Sequence, residues 1–271
     1  LCRMRPRILP QTPLPMAQAT STYVRYHLGG EPFHGRVAGG LVHRLDGDFL
    51  HGGSPDGTTL ALSDVRLLAP VLPGKIIAVG RNYASHLGGR PRPEEPGLFA
   101  MYPSAIVGPE DDIVIPAGST DLHYEGELVL VIGRRASRVS AADAMEYVFG
   151  VTAGNDVSER VWQASDLQWL RAKSSDTFAP IGPAVVTGLN YTDALLRTRL
   201  NGEVVQEEST ADLLFGVPAI LEYVTRYVTL EPGDLVFTGT PGTTQSMSPG
   251  DVVEIELEGV GVLRNTVRAG G

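Results

Sequence analysis

Residues 121–133, Asp-Leu-His-Tyr-Glu-Gly-Glu-Leu-Val-Leu-Val-Ile-Gly, constrain the fold more than any other part of the chain. Successive side chains of a strand point to opposite faces, so Glu125, Glu127, Val129 and Val131 share one face. Gly126, Leu128, Leu130 and Ile132 share the other. Both faces are apolar over most of their length, the pattern of a strand covered on both sides. Such a strand needs a layer above and a layer below, and it sets two carboxylates side by side where water is scarce. They repel and lose solvation unless they are protonated or share a cation. A hard divalent metal is the simplest resolution. The spacing alone says little. Glu254, Glu256 and Glu258 repeat it, but they alternate with Val253, Ile255 and Leu257 and read as a solvated face.

A third carboxylate, Asp156, follows the apolar stretch 147–153. With Glu125 and Glu127 it would make an all-oxygen set suited to Mg²⁺, with Mn²⁺ or Ca²⁺ as substitutes. Alone, Asp156 reads equally well as the N-cap of a following helix. Zinc is disfavoured: no His-x-x-x-His spacing exists, and four of the six histidines lie within the first 51 residues. Cys2 is the only cysteine, which excludes an intramolecular disulfide and a thiolate cage. Three other features bear on chemistry. His86 follows a buried strand at the start of a glycine- and proline-rich loop and reads as a general base or a solvent-exposed histidine. Lys173 is one of two lysines beside twenty arginines, and reads as a site cation or a surface lysine at a helix end. The turn 238–242 offers backbone N–H groups to a carboxylate, or is an ordinary tight turn. A Gly-x-Ser-x-Gly elbow, a Walker loop, His-Glu-x-x-His and a dinucleotide fingerprint are all absent.

The formal charge of -9 argues against nucleic acid or an anionic membrane as partner. No stretch has the length of a membrane span or the h-region of a signal peptide, so the expected location is cytoplasmic. Residues 1–20, with prolines at 6, 10, 13 and 15, are expected to form a poorly ordered extension. Residues 21–72 read as a small β-rich N-terminal domain and 73–271 as the catalytic domain. Strands are predicted at 22–27, 35–38, 41–45, 75–79, 113–115, 124–132, 147–153, 184–187, 197–200, 234–238, 252–257 and 262–267. Helices are predicted at 141–145, 159–171 and 210–228. The fold class is mixed α/β and β-rich, a roll or barrel with peripheral helices.

Eight segments in order resemble the fumarylacetoacetate hydrolase family. They are Lys75-Ile-Ile-Ala-Val-Gly-Arg-Asn-Tyr-Ala-Ser-His86, Tyr124-Glu-Gly-Glu-Leu-Val-Leu-Val-Ile-Gly133, Asn155-Asp-Val-Ser-Glu-Arg160 and Lys173-Ser-Ser-Asp-Thr177. Pro180-Ile-Gly-Pro183, Asn201-Gly-Glu203, Pro232-Gly-Asp234 and Thr238-Gly-Thr-Pro241 complete the set. The resemblance implies a β-roll catalytic domain behind a smaller N-terminal domain, and a homodimer. It implies that Glu125, Glu127 and Asp156 bind Mg²⁺ or a similar ion, which chelates a 2-oxo acid and stabilises its enolate. It further implies His86 as general base, Lys173 as a positive charge beside the developing oxyanion, and Gly239 and Thr240 as the turn that holds the substrate carboxylate. Arg160 and Gln163 match substrate-side polar positions.

The chain departs from the family pattern at two places. Gly89 stands where many members carry a glutamate that partners the histidine, with Glu94 or Glu95 in the following loop as stand-ins. Met101-Tyr102 replaces a Lys-Pro pair and removes a cation. The resemblance points to a metal-dependent enzyme acting on a small 2-oxo or β-dicarbonyl carboxylic acid, first by C–C hydrolysis of an acylpyruvate. Isomerisation of a 2-hydroxyhepta-2,4-diene-1,7-dioate-type acid and decarboxylation of an oxaloacetate-like acid are the alternatives. A metal-dependent binding protein without turnover is the reading from another class.

Overall fold

Valine, isoleucine, leucine and aromatic residues recur in short runs between glycine-bearing turns, and the chain forms many short strands and little helix. The computed structural model describes residues 19–270. Cys2 and most of the expected extension 1–20 lie outside the described residues. In chain order the strands are β1 (Ser21–Leu28), β2 (Glu31–Ala38), β3 (Leu41–Leu45), β4 (Pro55–Ala61), β5 (Arg66–Leu68), β6 (Ile76–Gly80) and β7 (Gly97–Met101). Then come β8 (Ile106–Val107), β9 (Asp112–Ile115), β10 (Leu122–His123), β11 (Gly126–Ile132), β12 (Val148–Asn155) and β13 (Ser158–Glu159). Helices α1 (Arg160–Ser165) and α2 (Leu170–Ser174) precede β14 (Ala179–Thr187), β15 (Leu195–Leu200) and β16 (Glu203–Ser209). Helix α3 (Val217–Tyr227), β17 (Leu235–Phe237), β18 (Val252–Leu257) and β19 (Gly261–Ala269) complete the chain.

The larger sheet runs β4-β3-β2-β1-β14-β12-β11-β17-β6-β7, with β5 on β1 and β8 on β14. The smaller runs β16-β15-β18-β19-β9, and β10 and β13 form a separate antiparallel pair. The larger and smaller sheets both mix parallel and antiparallel pairs, as in the parallel β17–β6 and β19–β9 ladders. Neither closes into a barrel. The N-terminal strands join the larger sheet through the β1–β14 ladder and have a small core of their own around Val24, Tyr26 and Val42.

β11 lies between β12 and β17, and all seven of its residues are buried. The Gly126 face packs on the smaller sheet so closely that a Cβ at Gly126 would fall 2.2 Å from Thr198 Oγ1. This face leaves Glu125 and Glu127 on the side of the cleft. The glutamates of β18 differ as the alternation predicts, with Val253, Ile255 and Leu257 buried and the glutamates partly exposed. They are also ion-paired: Arg199 lies 2.7 Å from Glu256 and Arg264 3.8 Å from Glu254.

Three predicted helices come out shorter. The stretch 159–171 breaks after Ser165, because α1 buries no residue to hold a continuous apolar stripe and Trp169 turns left-handed at φ 56°. The restart as α2 directs Ala172, Lys173 and Ser174 inward. The stretch 210–228 begins as a short 3-10 turn and is interrupted before Val217, where Gly216 and Pro218 set a new N-terminus. Residues 141–145 give way to a 3-10 turn at Ala144–Tyr147.

Candidate active site

Glu125, Glu127 and Asp156 bring one carboxylate oxygen each to within 4.8 Å of one another, and all three residues are buried. β11 supplies the two glutamates. Asp156 follows the end of β12, whose Asn155 pairs with Gly126 across the ladder. The corner is pinned by the backbone: Glu125 N–H donates to Asn155 Oδ1 at 2.9 Å, and Asp156 N–H donates to the Glu125 carbonyl at 2.9 Å. Asp156 does not cap α1. That role falls to Glu159, which accepts from Trp162 N–H at 2.6 Å.

Lys173 is only 2 % exposed and donates to Glu125 Oε2 at 2.7 Å and Asp156 Oδ2 at 2.6 Å. Its ammonium lies 5.1 Å from the centre of the Phe99 ring. Arg160 donates to Glu125 Oε1 at 2.6 Å, to Gln163 Oε1 at 2.8 Å and to Thr244 Oγ1 at 2.8 Å. Glu127 Oε2 accepts from Gly239 N–H at 2.7 Å. Gly239 therefore holds a glutamate and not a free ligand, the geometry differing from the carboxylate turn expected there. Its φ of 107°, with a Cβ position 2.7 Å from Asn82 Cβ, admits only glycine.

Burial raises the pKa of Glu127 well above the ordinary carboxylate range, and the charges of Asp156 and Glu125 push it further. Burial likewise raises Asp156, to about 7, against the pull of Lys173. Burial would raise Glu125 too, but Lys173, Arg160 and His86 outweigh it and hold that carboxyl low. Three carboxylates thus face two close cations, Lys173 and Arg160, which leaves one negative charge without a partner, and burial favours a proton most strongly at Glu127. Asp156 Oδ1 has no hydrogen-bond partner although buried. A buried lone acceptor beside two glutamate oxygens is the donor set of a hard divalent cation, and the residues fit one.

His86 Nδ1 lies 2.7 Å from the Gly242 carbonyl, and Nε2 lies 3.8 Å from Glu125 Oε1. A carbonyl only accepts, so Nδ1 carries a hydrogen, and Nε2 is the nitrogen left on the Glu125 side of the cleft. Glu94 is exposed, and Glu95 accepts the Tyr223 hydroxyl at 2.9 Å; His86 takes its partner from neither. Met101, at the other departure, is buried in the core.

These groups line a cavity of about 510 Å³, with His86, Glu125, Glu127, Arg160, Gln163, Lys173 and Thr240 in its wall. Thr240 Oγ1 accepts from Gln206 Nε2 at 3.0 Å and keeps its own hydroxyl hydrogen to donate. The sequence reading missed Thr244, Gln206 and Asn82. Asn82 Nδ2 donates to the carbonyls of Phe215 and Thr238, and Oδ1 accepts from Phe215 N–H, tying the β6 and β17 ends together. A buried-strand end followed by Gly-Arg-Asn-Tyr was the signal available for it.

The family described as Fumarylacetoacetate (FAA) hydrolase C-terminal matches residues 75–268, and the chain belongs to that family. A second family, Rv2993c-like, N-terminal, matches residues 22–70. Among curated relatives, Protein Rv2993c of Mycobacterium tuberculosis is 46% identical, over 78% of this chain and 82% of its own length. The mitochondrial oxaloacetate tautomerase FAHD2A of Bos taurus is 42% identical, over 77% of this chain and 71% of its own. The solved 2-hydroxyhepta-2,4-diene-1,7-dioate isomerase from Mycobacterium marinum superposes with a TM-score of 0.87 at 39% identity, covering 93% of this chain and 99% of that one. A maleylpyruvate hydrolase from Sphingobium sp. SYK-6, solved with manganese(II) and pyruvate, gives 0.78 at 26% identity, covering 92% and 100%. Where the names of these relatives state an activity, it is that of a tautomerase, an isomerase or a hydrolase. Among the described residues no helix is long and apolar enough to cross a membrane.

Proposed function

We propose that this chain catalyses keto–enol proton transfer in a small 2-oxo dicarboxylic acid, as a tautomerase or isomerase, with Mg²⁺ in the carboxylate triad. The observation that carries the reading is His86, a single base whose Nδ1–H is held by a backbone carbonyl and whose Nε2 faces the cleft. One base suffices to lift a proton from the carbon beside the keto group and deliver it to the neighbouring oxygen. Hydrolysis asks more of it, because water must also be activated and aimed.

Glu125, 3.8 Å from Nε2, stabilises the ring once it has taken the proton. Lys173, locked by Glu125 and Asp156, sets a fixed positive charge beside the enolate oxygen without reorganising as charge develops there. A bound divalent ion, Mg²⁺ with Mn²⁺ or Ca²⁺ as substitutes, would supply Lewis-acid stabilisation of that same charge. Arg160, Gln163 and the Thr240 hydroxyl are placed to hold a substrate carboxylate. The exposed Arg81 and Arg90 also line the cavity, which favours a diacid over a monoacid. The tautomerase and isomerase relatives support the same reading.

C–C hydrolysis of an acylpyruvate is the second reading. A cavity of about 510 Å³ leaves space for an acyl chain beyond the 2-oxo acid, and the maleylpyruvate hydrolase is a structural relative. The deciding assay follows enol-to-keto conversion of oxaloacetate by ultraviolet absorbance with Mg²⁺, beside pyruvate release from acylpyruvates. The expected result is accelerated tautomerisation that His86→Ala reduces by roughly 10²–10⁴-fold. Tautomerisation no faster than in buffer would sink this reading, and pyruvate release would install the second.

A further inference from the structure

Gly89, three residues after His86, offers the ring no acid, and Glu94 and Glu95 do not reach it, yet the ring is held. Three hydrogen bonds account for this. The Gly242 carbonyl takes the His86 Nδ1–H at 2.7 Å; Gly242 N–H donates to Ser85 Oγ at 2.8 Å; and the Ser85 hydroxyl donates to Glu208 Oε2 at 2.5 Å. Every donor and acceptor in this series is used in one direction only. The series starts at a carboxylate and ends at the base.

Gly242 needs such support. It sits at φ 60°, in a turn that glycine enters freely and leaves as freely. The support comes from one face of one strand. Gln206 and Glu208 are two apart on β16, so their side chains project to the same side. Gln206 donates to Thr240 Oγ1 and to the Pro241 carbonyl, and Glu208 reaches Gly242 through Ser85. β16 is the edge strand of the smaller sheet, and it grips the turn at three successive residues, 240, 241 and 242.

We propose that Glu208 and Ser85 are positioning residues for the catalytic base, in a chain whose Gly89 offers that base no acid. They act on His86 through Gly242, whose N–H Ser85 accepts and whose carbonyl takes the His86 Nδ1–H. The function of the pair is to fix the orientation and the Nδ1–H tautomer of His86. The inference rests on His86 being the base of the proposed reaction. Without the pair, the turn relaxes, the carbonyl moves off Nδ1, and the ring samples orientations in which Nε2 is misaimed. Misplacement of a reacting group by about 1 Å costs up to roughly a hundredfold in rate.

The test uses the full chain with Mg²⁺ and four variants, Ser85→Ala, Ser85→Thr, Glu208→Ala and Glu208→Asp. Each is checked for native circular dichroism. Two readouts are taken: kcat and KM for enol-oxaloacetate, and ¹⁵N chemical shifts of the histidine ring at about pH 8, where an ordinary imidazole is neutral. The expected result is a fall in kcat of about tenfold or more in both alanine variants, with KM changed less than about twofold. The ring shifts of His86 move from the Nδ1–H tautomer toward a mixture, and Ser85→Thr, which keeps the hydroxyl, restores both readouts. If kcat falls while the tautomer stays fixed, or if neither alanine variant differs from wild type, the proposal is overturned. Should the wild type turn over no diacid, the function reading fails, and the ring shifts alone still decide whether the pair orients His86.

Discussion

Asp156 and Glu127 carry the electrostatic cost of the site, and it has a measurable pH dependence. Burial and neighbouring charge raise Asp156 from the ordinary 3.8 to about 7 and raise Glu127 well above its usual range. The metal-free folded chain therefore keeps protons that the unfolded chain has already released. Their contribution to stability is full below the ordinary carboxylate pKa and is lost as pH rises through about 7. A divalent ion replaces those protons, so the stabilisation it gives should grow over the same window. Thermal melts between about pH 5 and pH 8 should show the metal-free melting temperature falling with pH and the gain from saturating Mg²⁺ rising. A metal gain independent of pH would remove the protonated carboxylates from the account. At this scale the sequence was most informative: two glutamates in a doubly apolar strand stated the charge problem before any fold was known. It offered the Gly239 N–H to a substrate carboxylate and not to Glu127, because a backbone donor has no residue type that names its acceptor.

The elements were legible where one pattern ran without interruption. β11 and β18 share the Glu-x-Glu spacing, and the apolar character of the intervening face separated the buried pair from the ion-paired one. β16 was missed because its charged residues look like any exposed edge, and what it grips is 30 or more residues away in the chain. The single helix read across 159–171 fails after Ser165, where α1 has buried no residue, and Trp169 turns left-handed before α2 begins at Leu170. Gly126 is where the sheets press closest. Gly126→Ala would set a Cβ 2.2 Å from Thr198 Oγ1 and 3.1 Å from Ile255, overpacking worth about 1–3 kcal/mol. The melting temperature should drop by roughly 3–10 °C. Gly97→Ala, whose Cβ would make ordinary contact 3.6 Å from the Gly80 carbonyl, is the control and should change little. Equal melting temperatures for the two variants would contradict the close approach of β11 to β15 and β18.

Across the whole molecule, the two sheets meet so that one face of β11 is sealed by the smaller sheet while its N-terminal end opens to a cleft. The cleft draws on distant segments: β6 delivers His86, the end of β12 delivers Asp156, α2 delivers Lys173 and the turn after β17 delivers Thr240. That convergence was not readable from the chain except through the ordered family segments, since nothing local relates residue 86 to residue 173. The central claim is that this convergence builds a site for one divalent ion. Calorimetric titration of chelator-treated protein with Mn²⁺ tests it most directly. The account predicts one ion bound per chain in the wild type and none in folded Glu127→Gln; wild-type affinity in that variant, or no binding by the wild type, would contradict it.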